Sequence, residues 1–279
     1  MPELPEVECV VLGLQSSVKN AVVKNITIRR TDLRIPLPKQ KLIACLKNQK
    51  LTTFKRRSKY ILIEGKDKKT AVFHLGMSGH LLYSKDKKSG LKHTHVSIEL
   101  LKNKGLSYLH FVDPRRFGLV TVIDRDEIEE HKLFAHLGPE PLEHDNLANH
   151  LFSRSRKKTV SIKNFIMNAK NVVGVGNIYA SESLHKSEIH PLSQAGSLSQ
   201  KQWRLLTQKI QSTLKAAIKA GGTTLQDYTG VDGQPGYFAQ KLWVYGRNEM
   251  TCRKCKDSQI EKIVIANRAS YFCPSCQTQ

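Results

Sequence analysis

The sequence predicts an α+β chain of two domains that ends in a small cysteine-bearing unit. Three observations carry this. From about Ala21 to Ile123, short runs rich in β-branched residues (VVKNITIRR, KYILIE, AVFHL, HVSIEL, SYLHFV, GLVTVI) alternate with Gly, Lys, Asp and Ser turns, as in an antiparallel sandwich or barrel. Two prolines and a glycine then punctuate LGPEPL, Leu137 to Leu142, which marks a boundary. Beyond it the apolar period turns helical, until the last thirty or so residues bring four cysteines.

The opening MPELPEVECV predicts a short helix, because Val7, Val10, Val11 and Leu14 fall at i, i+3, i+4 and i+7. Pro5 suits its first turn, and Glu6 and Glu8 suit the positive end of its dipole. Helix-start chemistry explains Glu3 poorly, since Glu3 precedes the helix. Further on, HLGMSGH and DPRRFG place Met77, Arg115 and Phe117 in turns between strands. Apolar wedges of this kind unstack DNA; core packing is the default expectation for Phe117.

The 279 residues carry 45 Lys and Arg against 24 Asp and Glu, a net charge of +21. A protein this basic meets a polyanion, nucleic acid first and anionic membrane second. Two runs concentrate the charge. Lys47, Lys50, Lys55, Arg56, Arg57 and Lys59 stand with no acid among them, as do Arg154, Arg156, Lys157, Lys158, Lys163 and Lys170. Either run alone reads as a solvated face; together they predict a phosphate-binding surface. VVGVGNIYASESL reads as a glycine turn feeding a helix with Asn177 as N-cap, whose exposed amides suit a phosphate, although a tight turn explains the glycines equally well. Trp203, Leu206, Ile210, Leu214 and Ala217 share one face of a long helix, which Gly221 and Gly222 stop.

In the tail, Cys252 and Cys255 form one CxxC and Cys273 and Cys276 another, with 17 residues between. Four thiolates in two such knuckles supply the tetrahedral ligands of a structural zinc ion, one per chain, with no open position for catalysis. Cys9 and Cys45 lie outside this set and read as small buried apolar residues. The acidic start argues against a secretory signal, and no run reaches the roughly 18 apolar residues of a membrane span. The expectation is a cytoplasmic protein with no membrane partner.

Taken in order, MPELPEVE, RRSKY, HLGMSG, DPRRFG, VVGVGNIYASES, GGTTL, PGYFAQ, VYGR and the cysteine tail resemble bacterial formamidopyrimidine-DNA glycosylase along essentially the whole chain. The resemblance implies an N-terminal β-sandwich flanked by helices (1–135), a linker (136–149), a helix–two-turn–helix module (150–242) and a zinc finger (243–279), acting as a monomer with DNA across the cleft. It implies a DNA-repair enzyme, nucleoid-associated through its DNA, that removes oxidised purines such as 8-oxoguanine and formamidopyrimidines from double-stranded DNA and cuts abasic sites. With Met1 removed, the secondary amine of Pro2 is the nucleophile, and Glu3 exchanges protons with the opening sugar. Lys59 contacts lesion and phosphate and assists β-elimination. Arg268 grips phosphate and is associated with δ-elimination; a guanidinium with a pKa above about 12 clamps rather than donates a proton. His93, Arg116, Lys158, Asn177 and Tyr245 match DNA-backbone contacts. Met77, Arg115 and Phe117 match the triad that fills the space of a flipped base, and Tyr228 to Tyr237 matches the loop that closes over it. The family more often has Thr at Cys9, Asp at Thr94 and Thr at Ser270. The rival readings are an endonuclease VIII-type enzyme for oxidised pyrimidines and a non-catalytic lesion binder. The intact Met77, Arg115, Phe117 set and the YFAQ stretch favour the purine enzyme, and the presence of Pro2 and Glu3 favours catalysis.

Overall fold

The structure, a computed structural model, describes residues 2–86, 92–223, 230–231, 233 and 236–278. It divides into two compact units, one of Met1–Ala135 with Ala220–Tyr237, the other of His136–Lys219 with Phe238–Gln279.

The first unit opens with α1 (Leu4–Val18). Val7, Val10, Val11 and Leu14 lie on its buried face, as their spacing predicts. The strands are β1 (Val22–Ile28), β2 (Phe54–Arg57), β3 (Tyr60–Glu64), β4 (Lys69–His74), β5 (His80–Ser84), β6 (Thr94–Lys102), β7 (Gly105–Val112) and β8 (Leu119–Asp124). They build two antiparallel four-stranded sheets, ordered β1-β6-β7-β5 and β2-β3-β4-β8. One hydrophobic core joins the valines of α1 to residues of both sheets, including Ile61, Phe73, Ile98 and Phe111.

One part of the strand-rich region is not strand. Lys39–Leu46 forms a helix, α2. Its buried Leu42, Cys45 and Leu46 follow a helical i, i+3, i+4 pattern, too short to stand out between strand-like neighbours. Gly65 lies so close to this helix that a Cβ there would sit 2.3 Å from Cys45 Sγ. Cys45 is fully buried, and burial pushes its thiol up to about 11. Cys9, expected to be buried as well, is half-buried at the edge of the core.

The second unit contains α3 (Leu147–Ser155), α4 (Ile162–Met167), α5 (Asn177–Lys186), α6 (Gln200–Lys219) and a two-stranded antiparallel ribbon, β9 (Glu261–Ile265) and β10 (Arg268–Phe272). The predicted face of α6 is its buried face: Trp203, Leu206, Ile210, Leu214 and Ala217 are all fully buried. Trp203 meets Phe165 of α4 edge-on at 5.5 Å. Beyond α6, Gly221 and Gly222 take positive φ, which a glycine adopts without steric cost. The ribbon turns through Ala266 and Asn267, both at positive φ, the conformation of a tight type I′ hairpin. Among the described residues, no helix is long and apolar enough to cross a membrane.

Candidate functional site

Pro2 is buried and immediately precedes α1. Glu3, only 3% exposed, is the N-cap of that helix, and Glu3 and Glu6 form a reciprocal capping box. The backbone amide of Glu3 donates to Glu6 Oε2 at 2.8 Å. Helix-start chemistry therefore does account for Glu3, contrary to the expectation from sequence, because the helix begins one residue after it. The second oxygen of Glu6 accepts from the amide of Thr223 at 2.8 Å. This buried carboxylate thus ties the head of α1 to a segment more than two hundred residues away.

Lys59 lies in the two-residue turn between β2 and β3. That turn is fastened to α1 through Arg56, whose Nε donates to Glu8 Oε2 at 2.6 Å and whose Nη1 donates to the Ser58 carbonyl at 3.2 Å. Pro2, Glu3 and Lys59 are accordingly built on neighbouring, mutually braced elements of one unit. Arg56 and Lys55, which bonds to Glu64 at 2.8 Å, show that part of the first basic run is committed within the fold. Nearby, His74 accepts from the Gly76 amide through Nδ1 at 2.9 Å. Burial, with Arg34 and Lys59 adding positive charge, holds its pKa down at about 4.

Met77 and Phe117 are 38% and 46% exposed. Core packing, the default expectation for Phe117, does not hold. The Arg115 guanidinium lies over the Phe117 ring, 4.7 Å from its centroid. Arg116 and His93 are exposed and both at positive φ. They line a basic hollow of about 600 Å³ together with Arg29, Arg30 and Lys92. Arg116 also bonds Asp32 at 2.5 Å, and Asp32 pairs with Arg30. Thr94, where the family more often has Asp, is buried, and among the described residues its hydroxyl finds no partner. Of the stretch Tyr228 to Tyr237, residues 228–229, 232 and 234–235 lie outside the described residues. Tyr237 is 60% exposed, and the Val231 carbonyl accepts from the Tyr83 amide at 2.8 Å.

In the second unit, Asn177 is the first residue of α5 and not its N-cap, which is Gly176. Its side chain is claimed elsewhere. Asn177 Oδ1 accepts from Lys163 Nζ at 2.6 Å, and Nδ2 donates to the Ala269 carbonyl at 2.9 Å and lies 3.4 Å from the Tyr245 hydroxyl. Lys163 is 1% exposed and also donates to Ser270 Oγ at 2.5 Å and to the Ala269 carbonyl at 3.1 Å. Ser270 therefore keeps the hydroxyl of the more usual Thr and uses it. This network orients Asn177 and Tyr245 and anchors β10, whose first residue is the exposed Arg268. Lys158 is exposed just beyond α3.

The four thiols Cys252, Cys255, Cys273 and Cys276 lie within 4.8 Å of one another. Cys252 and Cys276 are 3.9 Å apart and Cys255 and Cys273 3.7 Å apart, near the roughly 3.8 Å edge of a tetrahedron with ~2.3 Å metal–sulfur bonds. The amides of Ser258 and Asp257 draw the Cys255 thiol down to about 6, whereas burial pushes the Cys276 thiol up to about 12 and raises that of Cys273. The donor set fits a tetrahedral, sulfur-seeking ion. The Nε2 of the buried His185 lies 3.5 Å from Cys252 Sγ.

Residues 1–120 match the formamidopyrimidine-DNA glycosylase N-terminal domain, and residues 137–229 match the formamidopyrimidine-DNA glycosylase H2TH domain. The chain belongs to the formamidopyrimidine-DNA glycosylase family. A family member from Ruthia magnifica is 48% identical over 278 residues, all of both chains. Among solved structures, a mutant Lactococcus lactis Fpg in complex with Fapy-dG-containing DNA superposes with a TM-score of 0.90 at 29% identity over all of both chains. Lactococcus lactis Fpg in complex with abasic-site DNA gives the same score and identity over 99% of this chain and 100% of that one.

Four buried polar residues of this family member carry little or no local signal of their role in the sequence. Glu6 appeared only as a dipole partner and Lys163 only as one of a cation run. Asp113 carried a faint signal, since Asp-Pro opens turns. Glu182 carried none: its carboxylate is fully buried and accepts the amides of Trp243, Val244 and Tyr245 at 2.9 to 3.1 Å.

His74 supplies a pH test of the first unit. Its folded pKa of about 4 lies below its ordinary value of 6.5, so the unfolded chain takes up its proton first as pH falls. The stability it contributes is complete above 6.5 and is lost as pH falls from 6.5 towards 4. Urea midpoints of the wild type should drop through that window, and His74→Asn should flatten the drop. An unchanged slope in that variant would place the proton uptake elsewhere.

Proposed function

We propose that this chain is a bifunctional DNA glycosylase and AP lyase of base excision repair, which removes oxidised purines from double-stranded DNA through the amine of Pro2. Its membership of the family supports the glycosylase activity. The observation that carries the mechanism is the buried Pro2–Glu3 pair at the head of α1, held by the Glu6 carboxylate.

Loss of Met1 leaves Pro2 with a secondary amine, and an ordinary α-amino group has a pKa near 7.7–8.0. Part of the population is therefore neutral at physiological pH without further tuning. The amine attacks C1′ of a flipped nucleoside, the bond from C1′ to the base breaks, and the base leaves with a proton. Glu3, in the adjacent position, gives a proton to the ring oxygen as the sugar opens and stabilises the iminium as a carboxylate. The iminium acidifies the neighbouring C2′ proton; its removal expels the 3′ phosphate, and a second elimination expels the 5′ phosphate. Lys59 assists the first elimination, and Arg268 clamps phosphate for the second.

Each unit brings phosphate ligands of its own. His93 and Arg116 serve in the first, with Lys158, Asn177, Tyr245 and Arg268 in the second. Met77, Arg115 and Phe117 fill the vacated stack. Arg115, a donor only, faces acceptors on an orphaned cytosine and an amino donor on adenine, so it favours lesions paired with C. The four-cysteine site holds one zinc ion, which supplies a structural cross-link and no chemistry; Cys252, Cys255, Cys273 and Cys276 are its ligands.

Two measurements check this reading. Glu3→Gln should slow release of 8-oxoguanine by about 10²–10⁴, the range of general acid–base catalysis, while lesion binding survives. Near-normal excision would move the proton transfer to another residue, and faster wild-type excision of thymine glycol than of 8-oxoguanine would favour the pyrimidine enzyme. Elemental analysis should find one zinc per chain. Chelation should abolish DNA binding and unfold the ribbon while the β-sheet unit keeps its unfolding transition; active protein without zinc would refute the assignment.

A further inference from the structure

Two loops carry the three residues that fill the vacated stack, and one buried carboxylate braces both. Asp113 is fully buried. Its Oδ1 accepts from the Ser78 hydroxyl at 2.8 Å and from the Arg115 amide at 3.2 Å; its Oδ2 accepts from the Gly118 amide at 2.7 Å. The first of these bonds crosses to the loop between β4 and β5, where Ser78 follows Met77. The other two span Phe117. The Asp113 carbonyl is engaged as well, by His95 Nε2 at 2.7 Å and the Arg116 amide at 3.3 Å.

The loops also touch through their backbones. Gly76 has φ +65, and a Cβ there would lie 2.5 Å from the Phe117 carbonyl carbon and 2.6 Å from the Gly118 nitrogen. The approach is thus closed to any side chain, and the bond from Ser78 to Asp113 fixes its register. Meanwhile the side chains of Met77, Arg115 and Phe117 point away from this buried hub far enough to be exposed. A wedge that enters the stack as a unit needs its parts held relative to one another before the base leaves, because ordering them afterwards costs binding free energy.

We propose that Asp113 and Ser78 are positioning residues for opposite-base discrimination: the Ser78–Asp113 bond locks the Met77 loop to the Arg115–Phe117 loop, so that Arg115 meets the orphaned base in one fixed pose. The inference rests on the role given to Arg115 under the proposed function. Loss of the lock leaves Arg115 free to reach acceptors on either base, so discrimination falls before chemistry does.

Ser78→Ala removes only the link between the loops and leaves Asp113 its amide partners. Asp113→Asn keeps the shape but sets an amide donor against one of the donors that Asp113 now accepts. The measurement is the ratio of 8-oxoguanine excision opposite C to that opposite A, in wild type, Ser78→Ala, Asp113→Asn, Arg115→Ala and the Ser78→Ala/Arg115→Ala double variant. Borohydride trapping on a single-stranded abasic oligonucleotide, which has no partner base, serves as the structural control. We expect Ser78→Ala to narrow the ratio by about tenfold, the scale of one hydrogen bond to a charged acceptor, with trapping unchanged. Asp113→Asn should narrow it at least as much, and the double variant no further than Arg115→Ala alone. Wild-type ratios in Ser78→Ala and Asp113→Asn beside a narrowed ratio in Arg115→Ala would overturn this inference and leave the proposed function standing. A wild-type ratio in Arg115→Ala would overturn the role given to Arg115 and this inference with it. Should Asp113→Asn fail to fold, Ser78→Ala and the double variant decide alone.

Discussion

The Glu6 carboxylate is buried in a protein of net charge +21, and its two oxygens accept the backbone amides of Glu3 and Thr223. A hydrogen bond to a charged acceptor contributes about 1.5–3 kcal/mol, and leaving such a group unsatisfied costs more. The two amides therefore fix the carboxylate, and the carboxylate fixes them. Chain termini are ordinarily the least ordered part of a domain. Here the first turn of α1 is held from both ends, by the capping box and by the valines at its buried face. The nucleophile proposed here, Pro2, would depend on such fixing, since misplacement by about 1 Å can cost a hundredfold in rate.

The same principle organises the ribbon of the second unit, where little core is available. The ribbon of β9 and β10 adds only a few apolar residues around Val244, Ile260 and two of its cysteines. Two buried charges on other elements make up the difference. Glu182 of α5 takes three successive amides at 243–245, and Lys163 of α4 takes the carbonyl of Ala269 and the hydroxyl of Ser270. These partners are neutral backbone and side-chain groups. Each charge would be costly if its partners moved, and so each specifies where the ribbon sits against the helices of its unit. Asn177, Tyr245 and Arg268 come to one region as a consequence.

Elements with a strong local period were legible in the sequence. The valines of α1 and the Trp203-to-Ala217 face of α6 are read directly from spacing, and the two CxxC knuckles point to the four thiols that the structure brings together. The eight residues of α2 were hidden by their brevity. Asn177 was placed one residue out, since N-cap preference favours Asn over Gly, whereas Lys163 and Ala269 claim its side chain. Glu182, Lys163, Asp113 and the second bond of Glu6 were not legible for a common reason. Each acts on partners 35 to 217 residues away where it matters most, and no local pattern records such a pairing. Phe117 was ambiguous until its loop was seen to project from Asp113.

In the proposed reaction the terminal amine of Pro2 performs the covalent step. Borohydride reduction of the enzyme on an abasic-site duplex, followed by proteolysis and mass spectrometry of the cross-linked peptide, tests it most directly. A single adduct on the nitrogen of Pro2 is expected, formed only by chains from which Met1 has been removed. An adduct on Lys59 Nζ, or equal trapping by chains that retain Met1, would contradict it.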